Sequence, residues 1–443
     1  MEAFVSAAGG TLWTALFFVI GLSVIVFVHE YGHYIVGRWS GIHAEVFSIG
    51  FGKVIWRRID RRGTQWQIAA IPFGGYVKFL GDADASSVQA GDLSGLSAEE
   101  RRHTMTGAPL WARAATVFAG PLANFILTFA MLVGLLAYSG IALEEPSVGK
   151  LLPLPYAEQE LAVGDVIVAL NGTATPDWES FAAAAEALRG NLTLDYTVLR
   201  DGTEQVVQAP HPQVPVVGGV QLRSAALDAG LQAGDVILKA GGRDIAYFDE
   251  LVEVVTASEG KPVALTIWRD GTSFDIAFSP RMSALPDEET GGFIERFILG
   301  LFPGSVFEAG TRSASIWETV TGATNIMWRQ TTWTFSGLAH IVTGKISNCN
   351  FSGAISIAET LGDSAQNGAL EFLSTLAMLS FGIGLINLFP IPVLDGGHLV
   401  FFAYEAVVRR PPPEAALRVL MTVGLTIVIT AMIYALSRDL VCV

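Results

Sequence analysis

The sequence predicts a polytopic α-helical membrane protein with four transmembrane helices and two inserted copies of one α+β module. Three observations carry this. First, residues 11–28, 114–143, 372–394 and 419–437 contain no Asp, Glu, Lys or Arg, in a chain of 443 residues that is 51% hydrophobic and 16% charged. Each stretch can cross a hydrocarbon core, which takes about 20 residues of helix. Buried core helices of a soluble enzyme are the alternative, and four such stretches are hard to place in one soluble core. Second, basic residues gather in two short connections. Third, the long middle segment repeats itself.

In chain order, the first stretch lacks the basic lead of a signal peptide, because Glu2 is acidic and no Lys or Arg precedes residue 11. It reads as a retained span with its N-terminus outside. Arg38, Lys53, Arg57, Arg58, Arg61, Arg62, Lys78, Arg101, Arg102 and Arg113 lie between spans one and two, and Arg409, Arg410 and Arg418 between spans three and four. Both connections are therefore expected on the cytoplasmic side, which places the segment from Glu144 to Glu371 and the C-terminus outside. The net charge of −15 argues against nucleic acid as a partner. Cys349 and Cys442 have no metal-ligand spacing and receive no role.

In the outer segment LAVGDVIVALNG (residues 161–172) matches LQAGDVILKAGG (residues 231–242), and VLRDG (198–202) matches IWRDG (267–271). Offsets near 70 residues mark a duplicated module. Each copy reads as an apolar strand, a glycine turn, a helix (178–188; 248–257), an alternating strand and a D-G hairpin turn. That order resembles tandem PDZ domains of the bacterial type. The first copy lacks the A-G-L lead-in that the second carries in SAALDAGLQAGD, so it is degenerate. Binding of peptide C-termini by strand addition and service as a spacer or gate both stay open for these copies. Residues 280–286 read as a linker. Residues 313–342 read as a tryptophan-rich amphipathic helix, for the membrane surface or for packing on the second copy.

The chemistry starts in IVFVHEYGHYIVG (residues 25–37). A carboxylate at membrane depth costs about 2.5 kcal/mol or more, so an ionisable residue there is a functional candidate. His29 and His33 share one helix face at a spacing of four, the H-E-x-x-H arrangement for a zinc ion, with Glu30 beside it as general base for water. Two histidines do not complete a site. Asp395, in NLFPIPVLDGGH (residues 387–398), is a lone carboxylate in an apolar stretch broken by Pro390, Pro392, Gly396 and Gly397. Irregular backbone at that depth implies a covered or polar cavity. His398 is a rival third ligand.

HEYGH, NLFPIPVLDGG, AGPLANF (119–125) and IPFGGYVKF (71–79), with two module copies between the second and third spans, resemble the site-2 protease family of intramembrane zinc metalloproteases, in its RseP-type branch of Gram-negative bacteria. The resemblance implies that His29, His33 and Asp395 bind Zn²⁺ and that Glu30 is the catalytic base. It implies that Asn387, with Pro390 and Pro392, helps hold the substrate backbone. Residues 64–81, with Gly74, Gly75 and Tyr76 at their turn, would be a membrane-reentrant β-hairpin that pairs with an unwound substrate. GFG (50–52) looks like the family's cytoplasmic loop. Asn124 reads as a helix-packing residue. Ala354 stands where relatives carry proline after Gly353.

The full expectation is a zinc metalloendopeptidase of the bacterial inner membrane with N-terminus, C-terminus and PDZ copies periplasmic and the zinc site near the cytoplasmic side. Residues 1–143 would hold the first two transmembrane helices and the reentrant hairpin, and 144–210 and 211–282 the two PDZ domains. Residues 283–365 would form an extracytoplasmic amphipathic helical region, and 366–443 the last two spans with the L-D-G motif. Its partners would be the lipid bilayer and single-span proteins already trimmed outside the membrane, such as anti-sigma factors or remnant signal peptides. A zinc transporter using the same three residues, or a PDZ-bearing membrane scaffold, are the rival classes.

Overall fold

A computed structural model describes residues 2–81, 97–155, 159–287, 292–343 and 353–441; Cys349 and Cys442 lie outside them. Its helices are α1 (Glu2–Trp39), α2 (Ala98–Arg102), α3 (Leu110–Ser139), α4 (Trp178–Ala187), α5 (Ala225–Asp228), α6 (Phe248–Ala257), α7 (Ile316–Val342), α8 (Ala354–Asn367), α9 (Ala369–Asn387), α10 (Asp395–Val408) and α11 (Glu414–Val441). The chain divides into two compact units. One comprises Met1–Leu135, Thr321–Gln330 and Phe351–Val443, and the other Leu136–Val320 and Thr331–Asn350.

The first unit is built on helices. Gly10–Trp39 of α1 and the whole of α3, α9 and α11 are long and apolar enough to cross a membrane. At 19 residues, α9 is about 28 Å long, just sufficient for a hydrocarbon core. Much of the large apolar surface of α11 faces outward, including Val419, Val423, Ile427 and Ile433, as a lipid-facing helix requires. α1 stops where Gly41 enters the left-handed region at φ 84° and Ile42 donates to the Gly37 carbonyl at 2.9 Å. Small residues set how closely the helices approach. A Cβ on Gly32 would lie 2.3 Å from the Ala119 carbonyl oxygen of α3, and one on Gly362 of α8 would lie 2.6 Å from Thr14 Oγ1 of α1.

The third span ends earlier than its hydropathy suggests. α9 finishes at Asn387, residues 388–394 form turns, and Asp395 opens a separate helix. The proline pair removes two donors from the helical ladder, and Gly396 and Gly397 let α10 start close to that loop. A Cβ on either would lie 2.3 Å from a carbonyl oxygen of Leu388, Phe389 or Ile391. At the other end of the unit, Gly353 offers no side chain to cap α8. Asp439 of α11 does so instead, accepting from the backbone N–H groups of Gly353 (2.8 Å), Ile355 (3.0 Å) and Ser356 (3.2 Å).

Between α1 and α3 lie strands β1 (Ala44–Ile59) and β2 (Gln65–Phe79), and their pairing corrects the simple hairpin expected over residues 64–81. The two arms of β2 do not pair with each other. Val46–Ile49 of β1 aligns with Gly75–Lys78 on one side and with Gln65–Ile68 on the other, while residues 54–59 pair back onto 65–69. Both strands must therefore bend at their middles, and Gly50, Gly52 and Gly74 supply positive φ there. The buried Ser48 hydroxyl and the Tyr76 hydroxyl both accept from Gln67 Nε2 at 3.1 Å, so one polar network ties the three segments together.

The second unit holds the duplicated modules. Residues 166–170, 173–174, 193–200 and 203–210 form one antiparallel sheet, and 236–240, 243–244, 263–269 and 272–278 form another with the same strand order. α4 and α6 cover them, and two cores result, the first of which also takes in Val236 of the second sheet. The boundaries expected at 210 and 282 miss one strand of each copy. Val148–Leu151 pairs with Phe307–Ala309, and Val217–Val220 pairs with Leu301–Pro303, so both copies are completed by chain that follows the second. The linker expected over 280–286 is instead a strand, Arg281–Asp287, paired with Gly292–Ile298. Pro286 stands one pair from the end of that ladder, where a missing donor costs little. The region from 283 to 312 is thus largely β, and helix begins with α7, capped by Ser315 and Glu318.

One ion pair recurs in both copies. Arg200 forks onto Asp165 with two 2.7 Å contacts, and Arg269 onto Asp235 at 2.6 and 2.7 Å; both aspartates are fully buried. These are the Asp of G-D and the Arg of R-D-G, the residues that marked the repeat. Burial pushes the Asp165 carboxyl up, and the Arg200 guanidinium with the Ala162 amide more than reverses that, leaving it below the usual carboxylate value. Its contribution to stability is therefore complete above about pH 4 and is lost as pH falls through the lower folded value. Arg200→Ala should cost the first copy about 2 kcal/mol, since it strands a buried carboxylate beside a partly solvated site. Amide hydrogen exchange reads this as lost protection in residues 166–170 and 193–200 with 236–240 unchanged. Unaltered protection would deny the pair that role.

Candidate metal centre

Three side chains from two distant stretches meet in the helical unit. His29 Nε2 and His33 Nε2 are 3.1 Å apart, and Asp395 Oδ2 lies 3.2 Å from the first and 3.5 Å from the second. Among the described residues, these three form the one group of His, Cys, Asp or Glu donors close enough to share a metal ion. Tetrahedral zinc with bonds of about 2.05 Å separates its ligand atoms by about 3.3 Å, so the triangle fits that ion. The buried Asp395 Oδ2 has no hydrogen-bond donor, as expected of an oxygen meant for a cation.

α3 prepares the triangle. A Cβ on Gly120 would lie 2.2 Å from His33 Nε2 and 2.9 Å from His29 Nε2, so only glycine leaves the space. His33 Nδ1–H donates to the Thr116 carbonyl at 2.9 Å, which turns the Nε2 lone pair toward the centre. The buried Asn124 amide lies 3.3 Å from His29 Nδ1. With its nitrogen facing the ring, its Oδ1 is buried without a partner. A half-turn of the amide lets Oδ1 accept from Nδ1–H and frees the His29 Nε2 lone pair as well. Asn124 is thus more than the packing residue expected. The signal was available, because a polar side chain at membrane depth needs a partner.

Glu30 stands beside the triangle and outside it. It lies against β2, where a Cβ on Gly75 would come 3.1 Å from Glu30 Cγ, and its carboxylate accepts from the Val77 backbone N–H. Glu30, Gly75, Tyr76, Asn387 and His398 all line one cavity of about 410 Å³ with the three donors. His398 faces this cavity without joining the donor triangle. Gly74 packs on Phe51, Pro392 packs on Gly424 of α11, and Pro390 shapes the same loop; none of the three borders the cavity.

With this geometry in hand, the comparisons are direct. A sequence model of peptidase family M50 matches residues 17–431. The chain belongs to that family. It is 35% identical over 458 residues to the regulator of sigma-E protease RseP of Salmonella typhimurium, covering 97% of this chain and 98% of that protein. It is 34% identical over 461 residues to the protein of the same name in Escherichia coli, with the same two shares. A protein of Agrobacterium fabrum whose name carries the words zinc metalloprotease is 33% identical over 447 residues and covers 99% of both chains. The chain is therefore a zinc metalloprotease of the site-2 protease type, an inner-membrane protein in which zinc is the resident cofactor.

For an M50 protease the supports from α3 carry a clear test. Gly120→Ala should abolish zinc binding by filling the space of the ring nitrogens. Asn124→Ala should weaken it about 10–100-fold, the usual loss for a residue that orients a ligand. Chelator competition measures both, and equal affinity of Gly120→Ala and wild type would contradict the geometry.

Proposed function

We propose that His29, His33 and Asp395 hold the zinc ion, that Glu30 is the general base, and that the enzyme cuts single-span proteins within or beside their membrane segments. The observation that carries this is the 3.1–3.5 Å donor triangle with a carboxylate beside it and a β-strand edge along the same cavity. Bound zinc supplies Lewis acidity toward the scissile carbonyl and acidifies water. The Glu30 carboxylate accepts the proton of the attacking water and returns it to the leaving amine. The Val77 N–H fixes the orientation of that carboxylate.

A helical substrate must unwind before a peptide bond can reach the metal, and unwound backbone in an apolar setting needs hydrogen-bond partners. Residues 75–79 pair with β1 along one side, and Gly75, Tyr76, Val77 and Phe79 border the cavity. We assign this segment as the edge that receives the substrate strand, with Asn387 at the end of α9 holding backbone from across the cavity. Glu30→Gln should keep full zinc stoichiometry and lose about 10²–10⁴ in turnover. Val77→Pro should keep zinc and lose both turnover and substrate affinity, because it deletes the N–H that faces Glu30 and spares the bonds to β1. Near-normal cleavage by Glu30→Gln would remove it as the base.

The natural substrates in this reading are membrane proteins already shortened outside, anti-sigma factors among them, since sigma-E regulation is named in the relatives. The basic connections around residues 38–113 and 409–418 favour a cytoplasmic position for them and a periplasmic one for the PDZ copies. The copies, inserted between the second and third spans, act as a size filter against intact outer domains. Deleting residues 144–312 removes both copies with their closing strands. The deleted enzyme should cleave full-length and pre-trimmed substrate at similar rates. A persisting preference for the trimmed form would shift the filter elsewhere.

A further inference from the structure

Arg113, in the first turn of α3, and Glu405, in the last turn of α10, form a two-pronged ion pair. Nη1 lies 3.1 Å from Oε2 and Nη2 lies 2.6 Å from Oε1. Both side chains are more than four-fifths buried, and the guanidinium carbon sits 5.3 Å from the centre of the Phe402 ring. Both residues border the same cavity as the zinc donors. The pair lies well away from the donors, since Glu405 follows Asp395 by about 15 Å along α10. A buried pair of this kind seldom adds much net stability, because desolvation of both charges opposes their attraction. Its two-pronged geometry does fix orientation.

We propose that the Arg113–Glu405 pair is a positioning element of the metal centre. It holds α10, which presents Asp395, against α3, which orients both histidines. The proposal rests on the reading that His29, His33 and Asp395 are the ligands. α3 is the common frame. Thr116, Gly120 and Asn124 set the imidazoles from one face of that helix, and Arg113 precedes them by one turn. At its start α10 packs closely on residues 388–391, an irregular loop, through Gly396 and Gly397. Leu399 and Phe402 add an apolar contact with the cluster of Tyr34, Phe47, Ala112 and Val117, and Glu405 completes that face at i, i+3, i+6. Apolar contacts permit sliding and tilting, whereas a forked ion pair does not. Metal–oxygen distances tolerate about 0.2 Å, so a small tilt of α10 would take Asp395 off the ion.

The experiment measures zinc affinity of the purified full-length enzyme by chelator competition, together with the visible spectrum of the cobalt(II) form, which reports ligand geometry, and the thermal stability of the metal-free form. Arg113→Gln and Glu405→Gln should each weaken zinc about 10-fold or more and lower the intensity of the cobalt bands. The exchanged pair, Arg113→Glu with Glu405→Arg, should recover a large part of the loss. A purely structural pair would change thermal stability and leave metal affinity and the cobalt spectrum as in wild type, and that result overturns the proposal. Asp395→Asn is measured alongside. If it weakens zinc while both Gln variants do not, the positioning role fails and the ligand assignment stands. If Asp395→Asn leaves zinc affinity unchanged, the ligand assignment fails and takes the proposal with it. Should the Gln variants not fold, Arg113→Lys carries the test, because a point charge keeps the attraction and loses the fork. Weaker zinc binding supports the proposal, and wild-type affinity with a wild-type cobalt spectrum overturns it.

Discussion

Two imidazoles and a carboxylate bring their donor atoms to within 3.1–3.5 Å of one another inside an apolar helical unit, as the proposed metal site requires. Most of what is unusual in that unit follows from this requirement. α1 supplies two donors by simple helical spacing, but a helix cannot aim its own side chains without a neighbour. α3 is that neighbour, and it comes close enough because Ala112, Ala119 and Gly120 are small and buried. Thr116 and Asn124 then offer polar groups to the imidazoles, and their own hydroxyl and carbonyl groups are hydrogen-bonded within the unit. The third donor has to come from another helix, and it sits at a helix start, where the chain has just left an irregular loop. Placing Asp395 there lets its position be set by two glycines and two prolines independently of the span before it.

In the proposed reaction the sheet of β1 and β2 answers a second requirement. A protease that works on a helix has to compensate the backbone it exposes. A lone hairpin of two short arms would be marginal. Folding both strands at glycines places residues 46–49 between two neighbours and binds the three segments through Ser48, Gln67 and Tyr76. The stacked rings of Phe47 and Trp66, with centroids 4.4 Å apart, stiffen the same region. The outer segment of that sheet, residues 75–79, can then be held rigid against Glu30 while presenting an edge to the cavity.

How far the sequence disclosed this varies with the range of the interactions. Spans were legible because hydropathy is a sum over 20 residues and needs no partner. His29, Glu30 and His33 were legible because helical spacing is local. Asp395 was legible as a misplaced charge, and its location on a separate helix was hidden by an apolar run that continues through the loop to Leu394. The sheet register was hidden because residues 65–69 contact two parts of β1, and alternation along a strand says nothing about how many neighbours it has. The closing strands of the two module copies, at 301–303 and 307–309, were missed because each is three residues long and sits far beyond the repeat it completes. Arg113 read only as one of the basic residues of a connection, and Glu405 carried no local signal at all. Only three-dimensional pairing distinguishes them from Arg409 or Arg410.

The charged groups of the helical unit also separate structural roles from chemical ones. Asp439 accepts three backbone N–H groups and the Ser356 hydroxyl, and Glu405 has both oxygens on one guanidinium. Such carboxylates have their acceptor positions filled by the fold. Asp395 faces two imidazoles and suits a cation. Glu30 differs from all of these. It carries the Val77 N–H on a strand that itself borders the cavity, and no arginine or lysine forms an ion pair with it among the described residues. A carboxylate that is oriented yet not neutralised by a fixed cation is free to take up and release a proton during a reaction. That contrast, made within one unit and one kind of side chain, is the physical reason to propose Glu30 as the base and not Asp395 or Glu405, the other acids that line the cavity.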